Sequence, residues 1–316
     1  MINCSIEQIY NIMETIETIA AAWKADKRRW VKDATYAVYL QHLNNHVIPY
    51  LKAQGRIDDG TAQEFVDQLE REGLSPKSIR DVTLVMKMLL QFGAKMKRWP
   101  AVDTKVRFPD KDARRGRPSV MLPRDQRRLT EHLRDHPSLK GLGVLICLHT
   151  GLRIGEVVGL QWRDVDFKAD VIRVNKTVQR LYIADDGDRR YFMSIGSPKT
   201  ASSVREVPMT KELQKIMRRA QSVPEHYVLS GSSRPIEPRV LRDYFTKLLT
   251  SLGLSKVRFH ALRHSFATRC IESGADPKTV SAILGHSSVS TTLDLYVHPG
   301  LEQKKRVIER AARGLG

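Results

Sequence analysis

Cysteine is scarce in this chain: 316 residues hold three, Cys4, Cys147 and Cys270, lying far apart and in an odd number. That argues against a disulfide scaffold or a cysteine-based metal site, and suits reduced thiols in a cytoplasm. Long apolar runs are missing too. No stretch approaches a membrane span, and the N-terminus lacks a basic segment followed by an apolar one, so no membrane partner is expected. Acidic residues are outnumbered, with 35 Asp+Glu against 53 Lys+Arg and a net charge of +18. Such an excess favours a polyanionic partner, nucleic acid first, although a merely soluble basic protein would share it. What is present is an ordinary globular composition, 41% hydrophobic, in a chain long enough for two domains.

Helical periodicity dominates the first hundred residues. Ile6, Ile9, Tyr10, Met13, Ile16 and Ile19 line one face of a helix over 5–25. A second helix is expected over 33–48, ended by Pro49, and Thr61 with Glu64 reads as a capping box opening a third that stops at Gly73. Ser75-Pro76 starts a fourth, running to about Lys97. The resulting all-α domain is drawn at 1–108. Residues 109–120 read as a linker in which Lys111, Arg114, Arg115 and Arg117 are candidate DNA contacts, with a solvated linker as the alternative.

From 121 to 316 the pattern is α+β. Helices are expected in PRDQRRLTEHLRDH and SLKGLGVLICLHTG, then strands at 170–178, RLYIA, RYFMSI and VREVPM, then helices again. The fold class is therefore mainly α with a small antiparallel sheet, in two domains. Phe259, Leu262, Phe266 and Cys270 can bury one stripe of a helix whose neighbouring face carries His260 and Arg263. Asp276-Pro277 opens the next helix and Gly285 closes it, which leaves His286 just past a helix end. Ser290 or Thr291 is the expected cap of the helix bearing Tyr296.

Taken singly, each of these residues is more often structural: a packed histidine, a solvated arginine, one of 9 tyrosines. As an ordered set they are a different matter. Arg153 in TGLRIGE, Lys199 in PKT, His260 and Arg263 in HALRH, His286 in LGHSS and Tyr296 in TTLDLYVH together resemble the tyrosine recombinase (phage integrase) family over about 120–300. TVQR, SPKT and REVPM are most similar to integrases of phages and conjugative transposons, and the helical N-terminal part looks like the family's core-binding domain.

The resemblance implies site-specific recombination through a 3′-phosphotyrosine, with no cofactor, metal or ATP. Tyr296 would be the nucleophile, Arg153 and Arg263 the phosphate-binding forks, and His260 the base or proton relay. His286 would be a further phosphate donor, Lys199 the acid for the departing 5′ oxygen, and Glu156 an orienting carboxylate or a surface one. The residue types fit those roles, because forked donors suit a phosphate gaining charge and a phenol of pKa about 10 needs a base. A homotetramer on DNA, an excisionase or DNA-bending accessory protein, and a cytoplasmic, nucleoid-associated location follow from the same likeness. Many phage-type integrases carry an extra DNA-binding domain ahead of this part; this chain starts almost directly on its first helix, so that domain is either absent from this family member or cut from this sequence. The basic tail 301–316 stands, by position, where the family often has a segment that docks on a neighbour, with a frayed solvated tail as the alternative. Two alternatives stand beside this reading: a type IB topoisomerase that relaxes DNA, and a DNA-binding regulator without catalysis.

Overall fold

The computed structural model describes residues 6–110, 119–185, 188–196, 204–294 and, beyond those, Lys305, Ile308, Glu309 and Ala312. It is mostly helical with small antiparallel sheets, as expected. Among the described residues no helix is long and apolar enough to cross a membrane. The chain forms two compact units: residues 1–116 with 181–192, and residues 117–180 with 193–316.

In the first unit α1 spans Ile6–Trp30, continuing past the expected end through the basic stretch because Lys, Arg and Ala are strong helix formers. Pro49 does not end the second helix. α2 (Asp33–His42) passes through a π-helical turn, Leu43–Val47, into α3 (Ile48–Gln54). Pro49 has no N–H to give to residue 45 and its ring crowds that carbonyl, so the wider turn before it absorbs the conflict without a break. α4 (Thr61–Arg71) starts where expected but without the capping box. Glu64 instead accepts from Arg56, at 2.9 Å and 3.1 Å, and the Thr61 hydroxyl accepts from the Asp58 N–H. α5 (Pro76–Lys95) is capped by Ser75, which accepts from the Ser78 N–H.

Trp23, Leu43, Leu51, Phe65, Ile79 and Met86 lie at the centre of this unit. A smaller apolar cluster joins Tyr36, Ala37 and Leu40 to Leu181 and Ile183. Around it Lys24 pairs with Asp185 at 2.7 Å, the Tyr36 hydroxyl donates to the same carboxylate, and the Asn44 amide donates to the Ala184 carbonyl.

The second unit is organised around α7 (Leu139–Thr150), buried nearly all round. It packs against α6 (Pro123–Asp135), α9 (Lys211–Ala220), α10 (Pro238–Ser251) and α11 (Ala261–Glu272). Each fully buried Leu or Val there contributes about 1.5–3 kcal/mol relative to exposure. The single strand expected at 170–178 is two. β2 (Val171–Val174) lies between β1 (Val165–Asp166) and β5 (Arg205–Pro208) in an antiparallel sheet. β3 (Thr177–Asp185) instead pairs with β4 (Asp188–Gly196) in a separate sheet. The chain leaves the first sheet at Asn175 and Lys176, whose side chains are held by Asp164. Short helices α8 (Ile154–Val158), α12 (Pro277–Leu284) and α13 (Val289–Asp294) complete the unit. Asp276 caps α12 as expected, but Ser288, not Ser290 or Thr291, caps α13: its hydroxyl accepts from the Ser290 N–H.

Candidate active site

The site is assembled from helix ends. α7 stops at Gly151, whose φ of 67° is left-handed, and a side chain there would meet Leu284 and Phe266. Arg153 then takes the position before α8. Its backbone N–H donates to one oxygen of Glu156 at 2.9 Å and its Nη1 to the other at 2.8 Å. Gly155 is needed here because a Cβ would come within 2.7 Å of the Val178 carbonyl oxygen.

Opposite, α12 ends at Gly285 in the left-handed conformation, and each of its last carbonyls has a partner. Those of Ser281 and Ala282 accept from the backbone N–H groups of His286 and Gly285. The other three are taken by guanidinium groups. Ile283 accepts from Arg205 Nε at 2.5 Å, Leu284 from Arg263 Nη2 at 2.8 Å, and Gly285 from Arg153 Nη2 at 3.0 Å. Arg263 also donates to the Gly151 carbonyl at 2.9 Å, so it bridges the ends of α7 and α12. Three cations thus converge on the negative end of one helix dipole, which offsets part of their mutual repulsion.

Arg263 is only 2% exposed, whereas the Arg153 side chain is 37% exposed and is the more accessible fork. Burial, then the charge of Arg153, pushes the Arg263 pKa down to about 9, still a cation at neutral pH. Burial alone would raise the Glu156 pKa, but hydrogen bonding and charge from Arg205, then Arg153, outweigh it and hold the carboxyl below its ordinary value. His286 donates or accepts through Nδ1 with the Thr292 hydroxyl at 2.8 Å. His260 stands at the start of α11 with its ring edge-on to His264, centroids 4.6 Å apart. His260 keeps a solvent-facing side. Even so, desolvation, then the neighbouring His264, Arg263 and Arg153, push its pKa down to about 4. His286 is also lowered to about 4, by burial and then Arg263 and Arg153. Both imidazoles are therefore neutral at pH 7.

A groove of about 710 Å³ opens beside Arg153 and His260, with Arg180, Arg239 and Arg242 on its walls. A larger hollow of about 900 Å³, lined by α6, α7 and α11, holds none of these site residues.

The structure therefore brings together Arg153, Glu156, His260, Arg263 and His286. Lys199, Tyr296, Lys111, Arg114, Arg115 and Arg117 lie outside the described residues. Cys147 is buried, with its thiol pushed up by burial, and takes no part in the cluster. Sequence reasoning missed Arg205. In SVREVPM the two-residue alternation puts it on the same face as buried Val207 and Met209, and a cation on the core side of a strand is a signal that it has a partner.

The histidines set a pH dependence. Between pH about 4 and the ordinary histidine value of about 6.5, the unfolded chain binds protons that folded His260 and His286 refuse, so stability falls as pH drops through that window. Glu156, lowered in the fold, acts in the same direction. Urea unfolding is expected to show a lower midpoint near pH 5 than near pH 7. Equal midpoints would mean that these imidazoles are not held neutral.

Forked cations thus gather beside neutral imidazoles, next to an open basic groove. Residues 120–302 match the phage integrase family, and the chain belongs to it. It is a tyrosine recombinase, an enzyme of site-specific DNA recombination. A "tyrosine recombinase XerC-like" protein of Caldanaerobacter subterraneus subsp. tengcongensis is 28% identical over 88% of this chain and 77% of its own. The ICEBs1 integrase of Bacillus subtilis is 26% identical over 85% and 74%. Among solved structures, the Tn1549 transposon integrase in complex with transposon right end DNA superposes with a TM-score of 0.69. It covers 94% of this chain and 99% of that one at 22% identity, a likeness of fold.

Proposed function

We propose that this recombinase is the integrase of a mobile element and that it exchanges double-stranded DNA through a covalent 3′-phosphotyrosine. The observation that carries the mechanism is the convergence of Arg153 and Arg263 on one helix end beside a neutral His260. Tyr296 attacks the phosphorus and His260 takes the phenol proton. A bound phosphate places negative charge among the cations, which raises the His260 pKa toward the working range. Arg153, Arg263 and His286 donate to the non-bridging oxygens, and Lys199 protonates the departing 5′ oxygen. A 5′-hydroxyl from another strand then displaces Tyr296, so the bond energy is conserved without ATP. These steps use side chains alone, with no metal or cofactor.

Residues 1–108 act as the core-binding domain, 109–120 as a linker laying Lys111, Arg114, Arg115 and Arg117 along phosphates, and 121–316 as the catalytic domain. Arg180, Arg239 and Arg242 add cations at the groove beside the site, and affinity should fall steeply with salt. The working form is a homotetramer on DNA, directed by an excisionase or a DNA-bending protein, in the cytoplasm with the nucleoid.

The test uses nicked suicide duplexes tiled across the DNA flanking the gene, in EDTA, resolved on denaturing gels. The wild type is expected to give a covalent band that is absent for Tyr296→Phe, while DNA binding is retained. A band that persists in that variant assigns the nucleophile elsewhere. No band on any tightly bound duplex would favour a DNA-binding regulator. Relaxation of plasmid without strand exchange between two sites would indicate the topoisomerase reading.

A further inference from the structure

Arg205 lies outside the six-residue signature, yet it is the strongest partner of Glu156. Its Nη1 donates to Oε1 at 3.1 Å and its Nη2 to Oε2 at 3.0 Å. Arg153 uses the same two oxygens, through its side chain and its backbone N–H. One carboxylate, 3% exposed, therefore receives four donors from two arginines. The terminal torsion of a glutamate is intrinsically broad, but a fork across both oxygens fixes its plane. With that plane fixed, the direction in which Arg153 Nη1 is held is fixed too. The third donor, Nε to the Ile283 carbonyl, ties the same guanidinium to the end of α12 that holds Arg153 and Arg263. Arg205 is in register with Val174 on the core sheet, so all of this is referred to a rigid element. In sequence it falls six residues after Lys199.

We propose that Arg205 is a positioning residue for strand cleavage: acting through Glu156, it holds the Arg153 fork in the orientation that receives the phosphate. This rests on the phosphate-binding role given to Arg153 above. The role of Arg205 is to act through Glu156 rather than on the phosphate directly. It supplies the geometry on which an exposed, rotamer-rich side chain depends, because misplacement by about 1 Å is costly to a preorganised site.

The experiment is single-turnover cleavage of a suicide duplex by Arg205→Ala, Arg205→Lys, Glu156→Gln and the Arg205→Ala/Glu156→Gln double variant, with DNA affinity measured in parallel. Arg205→Ala is expected to cleave about 10- to 100-fold more slowly with affinity within about threefold of wild type. The double variant should lose no more than the worse single one, since both act through one contact. Loss of its main cationic partner raises the Glu156 pKa, so the acid limb of the Arg205→Ala pH–rate profile should move upward, which a merely structural role would not produce. Arg205→Lys keeps the charge but cannot span both oxygens and the Ile283 carbonyl, so it should recover part of the rate. It also carries the pH test if the alanine variant fails to fold. Wild-type cleavage by Arg205→Ala, losses that multiply in the double variant, or affinity falling in step with rate would each overturn the proposal. Absence of a covalent complex from the wild type would instead strike the phosphotyrosine reading itself, and this inference with it.

Discussion

Replacing Arg263 by alanine is expected to slow covalent complex formation by roughly 10²–10³-fold, the loss found when a preorganised donor to a developing oxyanion is removed. The same change should lower stability by about 2–4 kcal/mol. Arg263 is 2% exposed and gives hydrogen bonds to the carbonyls of Gly151 and Leu284. Removing it leaves those acceptors short of a donor at about 1–3 kcal/mol each, offset in part because Arg153 loses a like-charged neighbour. Arg263→Lys keeps the charge but bridges only one helix end, so it should recover stability more than rate. Single-turnover cleavage and urea midpoints on the three proteins separate the two effects. A cleavage rate for Arg263→Ala within about threefold of wild type would remove this residue from the phosphate site.

The second large effect is expected at Glu156. Alanine there leaves the Arg153 and Arg205 guanidiniums side by side without their shared counter-charge, one of them with a side chain only 7% exposed. Breaking a buried ion pair from one side costs about 3–5 kcal/mol, so the variant should unfold at markedly lower urea. Cleavage should fall by about 10²-fold as Arg153 loses its orientation. The sign with pH is fixed by the lowered carboxyl pKa. The advantage of wild type over Glu156→Gln is full above the ordinary carboxylate value of about 4.3 and fades as pH falls through the folded-state pKa. An advantage that grows with acidification would contradict the arrangement.

The gathering of Arg153, His260, Arg263 and His286 was legible because they sit in local contexts that the chain states outright. Asp276-Pro277 and Gly285 mark both ends of α12, which places His286 just past the helix, and His260 and Arg263 share one turn. What escaped was decided by contacts between distant segments. The strand alternation marks Arg205 only as a cation on the core side, and its partner Glu156 lies 49 positions earlier. Thr61 and Glu64 have the spacing of a capping box, but Asp58 and Arg56 compete for them and prevail. Pro49 reads as a stop signal because the widened turn that accommodates it has no signature in residue type.

The first unit has a peculiarity of timing. Its apolar strip on α2, Tyr36, Ala37 and Leu40, is covered by Leu181 and Ile183, from a hairpin made some 65 residues after the unit's continuous part ends. At a synthesis rate of about 5–20 residues per second, a nascent chain waits roughly 3–13 s with that strip bare. The N-terminal part of the chain therefore leaves the ribosome complete in its helices but unfinished in its surface. A chain cut at the linker would never receive the piece that finishes it.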